Sequence, residues 1–250
     1  MIRLDGKVAL ITGASRGIGY ATAAMMAQAG AAVVINFNRH RQPAEQLARS
    51  IQERGGQALP LQANVARRDD VERMVQRTLE SFGRIDILVN NAGIWTYGEI
   101  DTMPDEVWDE TMDVNLRGVF YCTRAVVPVM KRQGGGKIIN VSSTAGQRGE
   151  AFHSHYAATK GAIISFTKSL AVELAPYNIL VNAVAPGWVD TEMSAEALRL
   201  EGEKITSQIP LRRAGRAEEI AGPILFLASD LASYITGEIV NVNGGNVLCG

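Results

Sequence analysis

Short apolar runs rich in valine and isoleucine alternate along the chain with longer stretches in which apolar residues recur at helical spacing. Continuous apolar runs are typical of strands buried on both faces of a sheet, and the longer pattern is typical of amphipathic helices. The runs predict strands at Val8–Thr12, Ala32–Phe37, Ala58–Gln62, Ile85–Asn90, Lys137–Ser142, Ile179–Ala185 and Glu238–Val242. The intervening stretches predict helices at Gly17–Ala29, Gln42–Arg54, Asp69–Phe82, Pro104–Arg132, Ser154–Ala175 and Ala217–Ser229.

The regular alternation of predicted strands and helices determines the expected fold. Parallel strands joined by right-handed helical crossovers build a doubly wound, Rossmann-like α/β sheet with helices on both faces. No linker or repeat divides residues 1–250, so we expect a single domain with about seven strands. The segment Glu192–Gln208 has no predicted place in this sheet, and we expect a substrate lid near residues 188–212. The alternative is a surface helix without such a role.

Composition and charge exclude several classes of function. The chain has 25 basic and 26 acidic residues, so no overall field attracts nucleic acid or an anionic membrane. It has no apolar stretch long enough to span a membrane, and Met1–Ile11 lacks the pattern of a signal peptide. Cys122 and Cys249 lack the spacing of a disulfide framework or zinc site, and His153 and His155 lack a third ligand. We therefore expect a cytoplasmic protein without a metal.

A glycine-rich turn, Thr12-Gly-Ala-Ser-Arg-Gly-Ile-Gly19, follows the first predicted strand and leads into a helix. Glycines permit a tight turn and a close approach of the backbone to a pyrophosphate. The N-terminus of the next helix offers N–H donors to the same anion. The turn therefore predicts a dinucleotide site with contacts from Gly13, Ser15, Arg16, Gly17, Ile18 and Gly19.

The end of the second predicted strand indicates which dinucleotide is preferred. NAD sites usually place an acidic residue about 20 residues beyond the glycines, where it binds the ribose 2′-hydroxyl. Ile35–Arg41 contains no acidic residue, but Asn38 and Arg39 lie there, with Arg41 as an alternative to Arg39. Arginine pairs well with phosphate, and Arg16 can reach the same group. We expect NADP(H) to be preferred; if these arginines are merely solvated, NAD(H) remains possible.

Tyr156 and Lys160 lie four residues apart in a predicted helix, so both side chains share one face. An ammonium beside a phenol favours the phenolate, so we expect the pKa of Tyr156 to be lowered. A tyrosine in this setting can exchange a proton with a substrate oxygen. The same spacing also arises by chance, so the pair alone does not establish catalysis.

Several motifs together resemble the short-chain dehydrogenase/reductase family over roughly residues 5–245. The turn Thr12–Gly19 is similar to the family's cofactor turn, and Asn90-Asn-Ala-Gly93 to the element that follows its fourth strand. Ser143 precedes Tyr156 by the family's usual interval. Pro186-Gly187 with Thr191 resembles the segment that holds the nicotinamide carboxamide.

The resemblance implies a catalytic role for four residues. Tyr156 would protonate the oxygen of a ketone, and Lys160 would lower its pKa and bind the ribose hydroxyls of the nicotinamide half. Ser143 would hold the substrate carbonyl. Asn115 would interrupt its helix and hold a water that links Lys160 to solvent. Ser142 competes for the serine role, but on a strand a shift of one residue directs the side chain to the opposite face.

Further contacts follow from the resemblance and from the residues that flank its motifs. Asn64 occupies a position where many relatives carry an aspartate that binds the adenine ring, so this contact would be altered. The remaining expected cofactor contacts are Val65, Asn91, Ala92, Gly93, Pro186, Gly187, Val189 and Thr191. The expected substrate contacts are Trp95, Gln147, Phe152, His153, Trp188 and Met193.

Within the family, the chain is most similar to 3-oxoacyl-[acyl-carrier-protein] reductases and to sugar or alcohol dehydrogenases of this length. The resemblance implies interconversion of a ketone and a secondary alcohol, in a homotetramer. Lys131 and Arg132 offer a basic patch to an acyl carrier protein, although Pro176–Asn178 lacks an arginine that carrier reductases often have. The alternatives are an NAD-dependent sugar, polyol or alcohol dehydrogenase, and a dinucleotide-sensing regulator without turnover.

Overall fold

A seven-stranded parallel sheet forms the centre of the computed structural model, which describes residues 2–248. The strands are β1 Val8–Ile11, β2 Ala32–Phe37, β3 Ala58–Gln62, β4 Ile87–Asn90, β5 Gly136–Val141, β6 Ile179–Pro186, β7 Val189–Asp190, β8 Gly215–Arg216 and β9 Ile239–Val242. The order in the sheet is β3-β2-β1-β4-β5-β6-β9, and β7 pairs separately with β8. The predicted doubly wound sheet is therefore confirmed.

The strands are mainly apolar because both faces of the sheet are covered. Successive residues on a strand point to opposite faces. On β1, Ala9 and Ile11 pack into the core on one face, and Leu10 packs into the core on the other. Ile87 and Leu88 divide in the same way on β4. If polar and apolar residues alternated along these strands, the polar residues would all face one of the two cores, and that core would lose its apolar contacts.

Helices cover both faces of the sheet. Their bounds are α1 Gly17–Gln28, α2 Arg41–Glu53, α3 Arg68–Phe82, α4 Asp105–Met112, α5 Gly118–Gln133, α6 Thr144–Arg148, α7 Ser154–Leu174, α8 Ala195–Ser207 and α9 Ala217–Ala228. Helices α1, α2 and α9 supply the core on one face, and α3, α5 and α7 supply the core on the other. Within residues 2–248, no helix combines the length and apolar character that a membrane crossing requires.

The predicted helix Pro104–Arg132 is divided by a π-helical turn at Asp113–Arg117, which joins α4 to α5. Asn115 lies on this turn and is fully buried. Single π-helical turns inside longer helices occur frequently at functional sites. Two features, the short helix α6 and the β7–β8 pair, were not predicted, because elements of so few residues show no hydrophobic period.

The topology places a crevice at the carboxyl ends of β1 and β4. The chain runs outward from β1 to β2 and β3 on one side, and through β5, β6 and β9 on the other. Ligands of doubly wound sheets bind where the strand order reverses in this way. The loops after β1 and β4 are joined, because the Asn91 side chain donates a hydrogen bond to the carbonyl oxygen of Thr12 at 2.8 Å.

Candidate active site

A cavity of about 360 Å³ follows this crevice. Its cofactor end is lined by the glycine turn and by residues at the ends of β2 and β3, and its other end by residues that follow β4, β5 and β6. All the residues predicted to contact a dinucleotide line the cavity except Gly19. Of the four residues predicted to be catalytic, Ser143, Tyr156 and Lys160 line it and Asn115 does not.

Two glycines of the turn have structural reasons to lack a side chain. Gly13 has a φ of 62°, and a Cβ there would lie 2.9 Å from the Cα of Ala92. At Gly19, a Cβ would lie 2.5 Å from both the carbonyl oxygen of Gly13 and the side-chain nitrogen of Asn91. Gly19 therefore lets α1 pack closely under the turn, although it does not face the cavity.

The turn is held by a buried asparagine that was not predicted. Oδ1 of Asn36 accepts a hydrogen bond from the Gly13 amide at 3.1 Å, and its Nδ2 donates to the Ala63 carbonyl at 3.1 Å. The Asn91 side chain donates to the Gly13 carbonyl at 3.1 Å from the other side. The side chains of Asn36 and Asn91 thus fix both backbone groups of Gly13. A polar residue inside the apolar run Ala32–Phe37 was the available sequence signal for Asn36.

At the cofactor end, the two candidate arginines differ in their surroundings. Arg39 lines the cavity with Arg16, and its only charged contact among the described residues is with Glu110, at 4.0 Å between exposed groups. Such an exposed pair contributes little stability. Arg41 instead donates to Gln62 at 3.0 Å and does not line the cavity. The geometry therefore favours Arg39 over Arg41 as a phosphate ligand.

Asn64 and Val65 line the cavity beside the end of β3. Oδ1 of Asn64 accepts a hydrogen bond from the Ala66 amide at 3.0 Å, and the Asn64 amide donates to Asp70 at 3.0 Å. The side-chain oxygen is therefore used within the turn. The side-chain nitrogen of Asn64 is the polar group that remains for a ligand in the cavity.

Two adjacent serines follow β5 and have different partners. The side chain of Ser143 interacts with the Tyr156 hydroxyl, and its oxygen accepts a hydrogen bond from the Ala145 amide at 3.1 Å. The Ser142 hydroxyl is buried and donates to the carbonyl oxygen of Lys160 at 2.8 Å. The extended chain after β5 thus directs the two side chains apart, and of the two serines only Ser143 presents its hydroxyl to Tyr156.

Burial controls the protonation of the tyrosine and the lysine. Burial raises the pKa of Tyr156 to about 12, with a lowering contribution from Ser143 and a raising one from the charge of Glu150. Burial lowers the pKa of Lys160 to about 8, and its Nζ donates to the Val141 carbonyl at 2.8 Å. Nζ lies 5.6 Å from the centre of the Tyr156 ring. The structure thus gives the opposite direction to the lowered tyrosine pKa expected from the spacing, because desolvation disfavours both charged forms.

Asn115 acts on the loop that follows β4. Its Oδ1 accepts a hydrogen bond from the Ile94 amide at 2.8 Å, and its Nδ2 donates to the Ile94 carbonyl at 2.9 Å. Nδ2 also lies 3.4 Å from the Thr159 hydroxyl on α7. The side chain therefore fixes the backbone immediately before Trp95.

A chain of hydrogen bonds holds the same loop against α4 and α7. The Thr111 hydroxyl donates to the Val107 carbonyl at 2.8 Å, so it accepts from the Thr96 hydroxyl at 3.3 Å. Thr96 in turn accepts from Nε2 of His155 at 2.8 Å, which places the imidazole proton on Nε2. The ring is fully buried, and burial lowers its pKa. His155, one residue before Tyr156, is thus a neutral imidazole that binds the loop at Thr96 to α7.

The expected substrate residues divide into two groups. Trp95, Trp188 and Met193 line the cavity. Gln147, Phe152 and His153 do not: the Gln147 side chain donates to Asn241 at 2.6 Å, Phe152 is 56% exposed and stacks on Tyr97, and His153 stacks on Trp95. Arg148 and Glu150 line the cavity and were not predicted. No hydrophobic pattern marks them, because they lie at the end of a short helix and in the turn after it.

Comparison with known proteins identifies the family. A family model described as enoyl-(acyl carrier protein) reductase matches residues 13–246. A crystal structure of a short-chain type dehydrogenase/reductase from Mycobacterium marinum has a TM-score of 0.94 and 40% identity, covering 99% of this chain and 98% of that chain. The chain belongs to the short-chain dehydrogenase/reductase family. It is therefore an oxidoreductase that interconverts a CH–OH group and a carbonyl, and the resemblance seen in its motifs is confirmed.

Curated relatives of this short-chain dehydrogenase/reductase share its full length. The chain is 47% identical to a 3-oxoacyl-[acyl-carrier-protein] reductase of Synechocystis sp., over 99% of this chain and 100% of the relative. It is 44% identical to the 3-oxoacyl-[acyl-carrier-protein] reductase FabG of Thermotoga maritima, with the same coverage of each chain.

Proposed function

We propose that this enzyme uses NADPH to reduce 3-oxoacyl thioesters to 3-hydroxyacyl thioesters. One observation carries the proposal: a single cavity has Arg16 and Arg39 at one end and the Ser143–Tyr156 pair with Lys160 at the other. The curated names of the relatives support the thioester as the substrate. The cavity thus combines a site for a phosphorylated dinucleotide with groups that can receive a ketone.

The residues at the cofactor end fit NADP. A Cβ at Gly13 would collide with Ala92, so the turn is built for close approach, and the N-terminus of α1 follows it with N–H donors. Arg39 and Arg16 would pair with the 2′-phosphate, and Lys160 would bind the nicotinamide ribose. When bound, the reduced cofactor supplies the hydride. The alternative cofactor, NAD, would find no acidic residue at the end of β2 for its 2′-hydroxyl.

The protonation of Tyr156 suits reduction. With a pKa of about 12, its hydroxyl keeps the proton at neutral pH and can donate it to a ketone oxygen that gains negative charge. Ser143 would hold that oxygen by a hydrogen bond and so stabilise the developing charge. Lys160, buried beside the ring, would become protonated more readily once a phenolate forms, because opposite charges favour each other.

The same proposal includes an acyl carrier protein that delivers the substrate and the other subunits of a homotetramer. Lys131 and Arg132 lie in the last turn of α5, where the Lys131 ammonium lies 3.7 Å from the centre of the Tyr177 ring. We place the acidic carrier protein at this patch.

Phe120 and Val172 are exposed apolar residues on α5 and α7, which suit contacts between subunits of a homotetramer. Light scattering of the purified protein tests the tetramer.

The proposed function is tested by following the absorbance of the reduced cofactor with a 3-oxoacyl thioester, free or on its carrier protein. We expect rapid oxidation of NADPH and much slower oxidation of NADH. Activity with NAD on a sugar or polyol, and none on the thioester, would favour the dehydrogenase alternative. Tight binding of NADPH without turnover on any ketone or alcohol would favour the regulator.

A further inference from the structure

Glu150 places a carboxylate at the substrate end of the cavity. It lies in the turn between α6 and α7, and its side chain is 25% exposed. Oε1 accepts a hydrogen bond from the indole nitrogen of Trp95 at 3.2 Å. Among the described residues, none donates a hydrogen bond to Oε2. One carboxylate oxygen is therefore fixed by the protein, and the other is available to a ligand.

Aromatic rings that pack against one another surround this carboxylate. The Trp95 ring stacks on His153 with ring centres 4.3 Å apart, and Trp188 packs against it edge-on at 5.8 Å. Nδ1 of His153 lies 3.1 Å from the Ala151 carbonyl, which can only accept, so Nδ1 donates there. Because Nδ1 lies 3.7 Å from Oε1 of Glu150, Trp95 is the only side chain within residues 2–248 that is hydrogen-bonded to the carboxylate.

Of the cations that line the cavity, Arg148 and Lys160 lie at the substrate end, and both have other hydrogen-bond partners. Arg148 donates to the Asn246 side chain at 3.1 Å and forms no ion pair with Glu150. Burial raises the pKa of Glu150, and the charges of His153 and Arg148 act in the opposite direction. Lys160 donates to the Val141 carbonyl. Charge interactions are stronger in a cavity with apolar walls than in water. The negative charge of Glu150 therefore acts on whatever occupies the space in front of Tyr156.

We propose that Glu150 is a specificity-determining residue that favours ketones carrying a hydrogen-bond donor and rejects ketones carrying a free carboxylate. The inference rests on the proposed function. Among 3-oxo compounds, Glu150 thus selects the thioester, because a thioester with an amide-containing arm offers N–H donors and has no free carboxylate next to the ketone. The free 3-oxo acid brings a second carboxylate toward Glu150, and this repulsion excludes it.

The substitution Glu150→Gln tests the proposal with little change of shape. Its amide oxygen can still accept from Trp95, but an N–H donor replaces the free carboxylate oxygen. A donor on the substrate then meets another donor, whereas a carboxylate on the substrate gains a partner. Three substrates separate these effects: a 3-oxoacyl N-acetylcysteamine thioester, the free 3-oxo acid, and a simple 3-oxo ester that has neither a donor nor a charge.

We expect Glu150→Gln to lower kcat/KM for the thioester relative to the simple ester by about tenfold, at saturating NADPH. The ratio of acid to simple ester should rise by a similar factor. Glu99→Gln is the matched control, because Glu99 is exposed, accepts from the Tyr97 hydroxyl at 2.7 Å and does not line the cavity. It should leave both ratios unchanged. Thermal unfolding of each variant checks that the fold is intact.

Each outcome decides the matter. If Glu150→Gln leaves both ratios as in the unmodified enzyme, or if Glu99→Gln shifts them equally, Glu150 does not determine specificity. If the unmodified enzyme reduces thioester and free acid equally well, the inference fails while the proposed function stands. If the unmodified enzyme oxidises NADPH with none of the three ketones, the inference and the proposed function both fail.

Discussion

The Ser142 hydroxyl donates a hydrogen bond to the carbonyl oxygen of Lys160 at 2.8 Å, whereas the next residue, Ser143, interacts with Tyr156. The two serines therefore give a matched pair of variants. We expect Ser143→Ala to lower kcat by about 10²-fold, because an oxyanion-stabilising donor is lost. Ser142→Ala should keep kcat within a few-fold and reduce the free energy of unfolding by about 1 kcal/mol. Steady-state kinetics and urea unfolding measure both, and an equal loss of kcat in the two variants would contradict the assignment.

Tyr156→Phe removes the proposed acid and keeps the ring. We expect kcat to fall by about 10³-fold, since general acid catalysis is lost. The dissociation constant for NADPH should change little, because the hydroxyl is not a phosphate ligand. Cofactor fluorescence titration and single-turnover kinetics test these expectations. A variant that retained most of its turnover would show that another group donates the proton.

Arg39 and Arg41 separate the proposed phosphate contact from a general effect of charge. Arg39→Ala should raise KM for NADPH by about tenfold or more and leave KM for NADH nearly unchanged, because only NADPH carries the 2′-phosphate. Arg41→Ala removes the same charge from a side chain bonded to Gln62, and it should alter neither value. If both variants lose NADPH affinity equally, the arginines act through the overall field and not through a contact.

Lys160 makes stability depend on pH. Its folded pKa of about 8 lies below the ordinary value of 10.5, so between these values the unfolded chain binds more protons than the folded one. Stability from this group is therefore lowest below about pH 8 and rises toward pH 10.5, by roughly 3 kcal/mol in all. Lys160→Met should lose activity but flatten this rise. Urea unfolding of both proteins at neutral and alkaline pH tests it, and parallel pH curves would contradict the prediction.

Asn115→Ala should destabilise the loop before Trp95. Both backbone groups of Ile94 lose their partner, so we expect the free energy of unfolding to fall by about 2–5 kcal/mol. Asn38→Ala is the control, since that asparagine is exposed and its side chain bonds nothing among residues 2–248. Urea unfolding followed by tryptophan fluorescence measures both variants. Equal stability of Asn115→Ala and the unmodified protein would show that the loop is held by other contacts.

The sheet was predictable because its physical cause is local. A strand covered on both faces is apolar at most of its positions, as all of β1 and the first three residues of β4 are, and such runs are visible in the sequence. The glycine turn was predictable for a similar reason, since the turn and its glycines are contiguous. The break in the helix at Asn115 was expected from the family resemblance, and the π-helical turn confirms it.

The residues that were missed act across long separations in sequence. Asn36 bonds Gly13 and Ala63, and Glu150 bonds Trp95, 55 residues away. Only the folded chain brings such partners together. The direction of the Tyr156 pKa was missed for another reason: spacing shows which groups are neighbours, but the degree of burial decides which charged form is disfavoured.

The hydrogen bonds between Thr12 and Asn91 have a consequence for synthesis of the chain. The two residues are 79 positions apart, so the glycine turn leaves the ribosome long before the side chain that holds it. At about 5–20 residues per second, the turn waits for seconds without the Asn91 contact. The nascent chain thus contains every glycine of the phosphate turn before it can form the crevice. The crevice is complete only when β4 pairs with β1 and Asn91 reaches the turn.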